Sequence, residues 1–168
     1  RERVMSTTPI PTPVLKGKKA LVVGVANEHS IAWGCAKAFH ELGADVALTY
    51  LNEKAKRFVE PLAESIGTTL LAPLDVEQPG QMESLVERLQ REWGRLDIAV
   101  HSIAWAPKGD LQGGLLDCSA AGFARAMDVS CHSFIRLARA SAPLMRDGGS
   151  LFAMSYHGAN KVVPTYSV

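Results

Sequence analysis

The sequence predicts an α/β fold, a doubly wound parallel sheet with helices on both faces. Two observations predict it. Short, wholly apolar runs recur along the chain, as strands buried on both sides require, and stretches of helical apolar periodicity separate them. Size agrees: 168 residues, 47% hydrophobic and 21% charged, suit one soluble domain with a substantial core.

In chain order, residues 1–16 read as a flexible leader, because Pro9, Pro11 and Pro13 forbid both helix and strand ladder, and Met5 reads as the natural start. Ala20–Val23 is the first strand, and a helix starts at Ile31. Val46–Tyr50 is the second strand. A helix from about Glu53 follows, with Ala55, Phe58, Val59, Leu62 and Ile66 on one face. Thr69–Ala72 is the third strand; after Pro79, Met82, Leu85, Val86, Leu89 and Trp93 mark a helix that Gly94 stops. Leu96–Val100 is the fourth strand. A helical run from about Ala120 to Met145 is ended by Asp147-Gly148-Gly149, and Ser150–Met154 is the fifth strand. No internal repeat and no second-domain boundary interrupts this alternation. A parallel sheet stopping near Met154 leaves an edge and a face uncovered, so the chain reads as the front part of a longer one, lacking its last strand or strands and helices.

Composition excludes several classes of function. Lys+Arg 18 against Asp+Glu 17 leaves +1, no field for nucleic acid or an anionic membrane. No apolar run approaches the roughly 20 residues that span a bilayer. Residues 1–15 lack the apolar stretch of a secretory signal, which points to the cytoplasm. Cys35, Cys118 and Cys131 form no C-x-x-C pair, so neither a disulfide framework nor a zinc site is expected. Cys35 and Cys131 are expected to pack within helices, with Cys118 the most exposed thiol. His29, His40, His101, His132 and His157 show no metal-binding spacing, so no metal is expected. Trp33, Trp93 and Trp105 read as core residues.

The chemistry-bearing residues cluster where strands end. The first strand runs into Gly24-Val25-Ala26-Asn27-Glu28-His29-Ser30-Ile31-Ala32-Trp33-Gly34. Gly24 lets the backbone turn sharply off the strand. Ser30 is placed to cap the helix from Ile31, whose free N–H groups favour a pyrophosphate, and Gly34 would let that helix approach the sheet. The spacing is not a plain G-x-G-x-x-G, and a structural turn reads the same way. Asp75-Val76 follows the third strand, where a carboxylate can accept from an adenine amine or make an Asx-turn ahead of Pro79. Ser102-Ile103-Ala104, after His101, is small enough for a ribose or nicotinamide to lie against the backbone. Ser155-Tyr156 ends the fifth strand, and Tyr166 follows. A phenol there could stabilise an oxyanion or move a proton, and equally could be a rim aromatic.

In this order, Gly24-x5-Ser30-Ile31-Ala32-x-Gly34, Asp75-Val76, His101-Ser102-Ile103-Ala104, Ser155-Tyr156 and Tyr166 resemble the bacterial NADH-dependent enoyl-acyl-carrier-protein reductases, divergent short-chain dehydrogenases/reductases of fatty-acid elongation with a Rossmann-type sheet. The resemblance runs from Gly17 to Val168, making residues 17–168 an incomplete dinucleotide-binding domain. It implies that Gly24, Ala26, Ser30 and Ile31 cradle the pyrophosphate and nearby ribose, that Asp75 and Val76 hold adenine, and that Ser102, Ile103 and Ala104 flank the nicotinamide. Tyr166 would be the active-site tyrosine, donating to the carbonyl of an enoyl thioester on acyl carrier protein. Tyr156 would line the acyl pocket where ordinary relatives place a catalytic serine, which speaks against a short-chain carbonyl reductase. Trp105-Ala106-Pro107 would form part of the acyl wall. Asp128-Val129-Ser130 resembles the helix at the family's tetramer-forming face, implying a homotetramer. Glu53 would repel a 2′-phosphate and favours NADH, whereas Lys54, Lys56 and Arg57 leave NADPH open. The family also places a lysine after its active-site tyrosine. This chain stops two residues past Tyr166, so by itself it is expected to be inactive, a nucleotide-binding fragment or pseudoenzyme being the alternative reading.

Overall fold

The computed structural model describes residues 13–164 and Tyr166. Most of the expected leader, residues 1–12, lies outside them; within the rest, the Leu15 N–H donates to Leu42 O at 2.9 Å and its side chain packs on the core.

Five strands form one parallel sheet in the order β3-β2-β1-β4-β5. They are β1 (Lys19–Val23), β2 (Asp45–Tyr50), β3 (Leu71–Pro73), β4 (Ile98–His101) and β5 (Ser150–Ala153). The register places Leu21 beside Ala47 on one side and Ala99 on the other. Alternation then sorts the apolar strand residues to opposite faces. Ala20, Val22, Val46 and Leu48 meet Ala32 and Ala36 of α1 (Ile31–Glu41) and Val59 and Ala63 of α2 (Glu53–Ser65). Leu21, Val23 and Ala47 face the other way, against Met82, Leu85 and Leu89 of α3 (Gln81–Glu92). A short helix α4 (Lys108–Leu111) precedes the long helical run. That run is α5 (Ala120–Met127), a single π turn over Asp128–His132, and α6 (Ser133–Ser141), whose Leu137 joins the second face. The sheet is therefore doubly wound, as the apolar runs predict.

Local chemistry explains the boundaries. Asn52 caps α2 by accepting from the Ala55 N–H at 3.0 Å, and Ser119 caps α5 by accepting from the Gly122 N–H at 3.0 Å. Gly94 ends the helical region after α3 with φ +66°, a conformation that costs a side chain strain.

Several expectations need correction. Thr69 and Leu70 precede β3 instead of starting it. The Arg88 guanidinium takes the carbonyls of Thr69 and Leu71 (3.0 and 2.8 Å), and Pro73 is tolerated because β3 is an edge strand. Leu96 lies before β4, its N–H donating to Leu144 O at 2.9 Å. β5 is exposed along its whole length instead of buried. Phe58 is 54% exposed, because the buried face of α2 centres on Val59 and Ala63. Cys131 is exposed, since the inward position of the π turn belongs to Val129, and Cys118 is half-buried. Among the described residues no helix is long and apolar enough to cross a membrane.

Candidate active site

The strand order reverses between β1 and β4, and the loops leaving their carboxyl ends part there to form a cavity of about 460 Å³. Gly24 turns the chain off β1 at φ +101°, and a Cβ at this position would lie 2.0 Å from Ser102 O. No side chain fits where these two loops meet. The Gly24 N–H donates to Thr49 Oγ1 (3.4 Å), and the Ser102 N–H donates to Val23 O (3.0 Å), so three strand ends are stitched together beneath the cavity.

Most of the cofactor residues expected from the sequence share this one wall: Gly24, Ala26, Asp75, Val76, Ser102, Ile103 and Ala104 all line it. Ser30 and Ile31 do not. They sit on the loop and first turn of α1, and Ser30 does not cap the helix with its side chain. Its Oγ instead donates to Asn27 O (2.5 Å) and accepts from the N–H groups of Ala26 and Asn27 (3.3 and 3.4 Å). The hydroxyl therefore shapes the loop. Gly34 is not a packing glycine either, because a Cβ there would meet nothing within 4 Å; Ala32 and Ala36 make the close approach. Asp75 makes the Asx-turn, its Oδ1 accepting from the Glu77 N–H at 3.0 Å, while still lining the cavity. The two readings of Asp75 are compatible, because a carboxylate offers two oxygens.

The sequence reading missed Thr49, Leu51, Val129 and Arg125, which also line the cavity, and it misjudged Trp105. Trp105 is 41% exposed, with the Arg125 guanidinium 4.2 Å from its ring centroid. Arg125 also grips both carboxylate oxygens of Glu77, Nε to Oε1 at 2.6 Å and Nη2 to Oε2 at 2.9 Å. The hydrogen bond from Arg125 holds the Glu77 carboxyl below the usual carboxylate range. Helical spacing could have found Arg125, which stands four residues before the buried Val129.

Tyr156 and Tyr166 lie in a second hollow, of about 590 Å³, together with Leu115 and the 158–164 segment. Their ring centroids are 5.6 Å apart at an interplanar angle of 58°, and both rings are about half exposed. Tyr166 is held by its N–H donating to Val163 O (3.1 Å) and by an antiparallel bridge to Gln112. Neither tyrosine lines the first cavity. Lys161 borders the tyrosine hollow.

The first cavity has the size of a small-molecule site and the features of one that holds a nucleotide: backbones in close approach, an acidic side chain at a strand end and small residues opposite. Among the described residues, no group of three or more His, Cys, Asp or Glu side chains could hold a metal ion.

Comparison with known proteins agrees with this geometry. The sequence model of the family described as enoyl-(acyl carrier protein) reductase matches residues 24–168. The chain is 47% identical over 156 residues to the NADH enoyl-acyl-carrier-protein reductase FabI of Aquifex aeolicus, covering 92% of this chain and 58% of that protein. It is 42% identical over 155 residues to reductase 1 of the same type from Rhizobium meliloti, covering 92% of this chain and 57% of that one. The chain thus spans somewhat over half the length of the curated relatives it matches. Among solved structures, the enoyl-acyl-carrier-protein reductase of Anaplasma phagocytophilum, in complex with NAD, superposes with a TM-score of 0.88 at 45% identity, covering 94% of this chain and 60% of that one. FabI from Candidatus Liberibacter asiaticus gives a TM-score of 0.89 at 42% identity, over 93% of this chain and 60% of that one.

Proposed function

This chain belongs to the enoyl-(acyl carrier protein) reductase family, and from that premise we propose that the protein carrying it reduces trans-2-enoyl thioesters on acyl carrier protein with NADH. The observation that carries the reading is the cavity at the β1–β4 reversal, where Gly24 and Ser102 leave no room for a Cβ and Asp75 stands at the rim. Its small residues, and Asp75 beside a Glu77 already paired with Arg125, suit the adenosine and pyrophosphate portion of a dinucleotide. Bound NADH would supply the hydride that the β-carbon of the enoyl thioester receives.

The residues of this chain take the following parts. Gly24 and Ala26 form the phosphate-side wall, with Ser30 and Ile31 shaping the entry to α1, and Asp75 and Val76 hold the adenine. Ser102, Ile103 and Ala104 form the floor beneath the nicotinamide. The Tyr166 hydroxyl donates a hydrogen bond to the thioester carbonyl oxygen as negative charge grows there, and a proton from solvent completes reduction at the α-carbon. Tyr156, whose ring sits 5.6 Å from that of Tyr166, forms part of the acyl wall. A homotetramer working in the cytoplasm completes the reading.

The test is thioester-dependent NADH oxidation by the natural gene product. Tyr166→Phe should lower kcat by about 100-fold or more while NADH binding stays within a factor of two. A variant that keeps the wild-type rate would remove Tyr166 from the chemistry. No thioester-dependent turnover by the natural protein would remove the reductase reading itself. Repeating the assay with NADPH decides between the cofactors.

A further inference from the structure

The turn after β3 carries the atoms assigned to adenine; Leu74 is buried in the core and Val76 packs against it, yet few hydrogen bonds tie the turn to the sheet. The Leu74 N–H donates to Tyr50 O (2.8 Å) and the Asp75 N–H donates to Gln81 Oε1 (2.7 Å), while the Glu77 N–H to Asp75 Oδ1 and the Gln78 N–H to Asp75 O are internal to the turn. Two arginines from the long helical run supply the missing anchorage. Arg125 binds the Glu77 carboxylate through two parallel hydrogen bonds, while the face of its guanidinium rests on Trp105. Arg136, on α6, donates from Nη2 to Val76 O at 3.0 Å and from Nη1 to Asp128 Oδ1 at 2.6 Å. Trp105 is itself fixed to the same run, since Ser130 Oγ accepts from its N–H (2.9 Å) and donates to its carbonyl (3.0 Å).

We propose that Arg125 and Arg136 are positioning residues that clamp the Asp75–Glu77 turn against the cavity so that it presents a fixed edge to the adenine end of a dinucleotide. This rests on the dinucleotide reading of the cavity. The clamp acts by preorganisation. Arg136 fixes the peptide plane that follows Val76 by holding its carbonyl, and the Glu77 N–H occupies Asp75 Oδ1. Among the described residues no hydrogen bond takes Oδ2, which stays available to a base amine. Arg125 closes the other end of the turn, and a planar guanidinium with two parallel bonds holds its partner in one orientation. With both clamps made, binding need not order the turn, and that ordering cost is removed from the affinity. Arg136 does not line the cavity, so its loss should weaken adenine-bearing ligands and leave the chemical step alone.

The experiment uses the natural gene product and calorimetric titration with ADP-ribose, alongside steady-state kinetics. Arg136→Met and Arg125→Met should each raise the ADP-ribose Kd about fivefold or more, and Arg136→Met should raise KM for NADH in step and leave kcat at saturating NADH within about twofold. Arg136→Lys, which can still donate to Val76 O, should recover part of the affinity. Glu77→Gln leaves both arginines in place and should weaken ADP-ribose by a smaller factor, which serves should a Met variant fail to fold. Unchanged ADP-ribose affinity in the folded variants, or lost kcat at unchanged KM, would overturn the clamp while the dinucleotide reading stands. A wild-type protein that binds no ADP-ribose would overturn both.

Discussion

The Nε2 atom of His101 lies 2.6 Å from Ser133 Oγ, and that hydroxyl lies 2.6 Å from Val129 O. A hydroxyl has one proton, and the carbonyl can only accept it. Ser133 therefore accepts from His101, which assigns the Nε2–H tautomer to the imidazole. The relay joins the last residue of β4 to the π turn, immediately beside Ser102 and Val129 of the cavity wall. His101 is 2% exposed, with the Phe134 ring set edge-on at 5.6 Å.

Burial holds the His101 imidazole below the ordinary histidine value of about 6.5. The native state then binds fewer protons at this site than the unfolded chain. Stability should be full above about pH 6.5, fall as the pH drops below that, and level off at the folded-state value. Urea unfolding at about pH 7.5 and about pH 5.5 checks this, with His101→Asn expected to flatten the difference. Ser133→Ala strands the imidazole N–H and should cost about 1–3 kcal/mol at either pH.

Gly24→Ala forces a Cβ to 2.0 Å from a backbone carbonyl at φ +101°. Backbone cannot yield as a flexible side chain can, so the loop after β1 or after β4 must move. We expect a loss of about 3 kcal/mol in urea unfolding, together with weakened NADH binding, since both loops wall the cavity. Unaltered binding by Gly24→Ala would separate this approach from the cofactor site.

Asp97 joins three strand starts away from the cavity. Its Oδ2 accepts from the Lys19 N–H at 2.9 Å, its Oδ1 from Lys18 Nζ at 3.2 Å, and its own carbonyl accepts from the Ser150 N–H at 2.8 Å. Burial pushes the carboxyl upward, but the hydrogen bonds from Arg95, the Lys19 N–H and Lys18 together outweigh it and hold the group below the usual carboxylate range. This stability is present above the ordinary aspartate value of about 3.9 and lost as the pH falls through the lower folded value. Asp97→Asn should cost about 1–2 kcal/mol near neutral pH in urea unfolding and reduce the acid sensitivity.

Ser141 is fully buried, and among the described residues its hydroxyl has no hydrogen-bond partner. Leaving it unpaired costs free energy that an alanine would not incur. Ser141→Ala should raise the unfolding free energy by up to about 1 kcal/mol, read as a higher urea midpoint at constant slope. A loss beyond about 1 kcal/mol would mean that the hydroxyl has an unrecognised partner.

Much of this architecture could be read from apolar runs alone. Ala20, Leu21, Val22 and Val23 are wholly buried because both sheet faces are covered, and a run with no polar interruption says just that. The break after α3 was legible from local backbone preference, since Gly94 takes φ +66° there, whereas α6 ends at Ser141, ahead of a 3-10 turn over Ala142–Leu144 that holds Pro143, and not at Asp147-Gly148-Gly149. Where neighbours in space decide, the reading failed. Phe58 and Val59 are equally apolar, and only the packing of α2 shows that Val59 is the one buried. Thr69 has strong strand propensity but stands outside the ladder, its carbonyl bonded to Arg88, a residue 19 positions on.

The sequence by itself determined the order of the main strands and helices and the doubly wound class, because those follow from short-range periodicity and from residues whose backbone chemistry is intrinsic. Tertiary structure alone decided two further matters. It brought Arg125 and Arg136 to the turn after β3, and it joined His101 to Ser133. Each of these depends on the distance between segments far apart in the chain, or on which of several equivalent partners a polar group meets first. No local pattern encodes that choice; it is made when helices and loops dock on the sheet and every buried donor must find an acceptor.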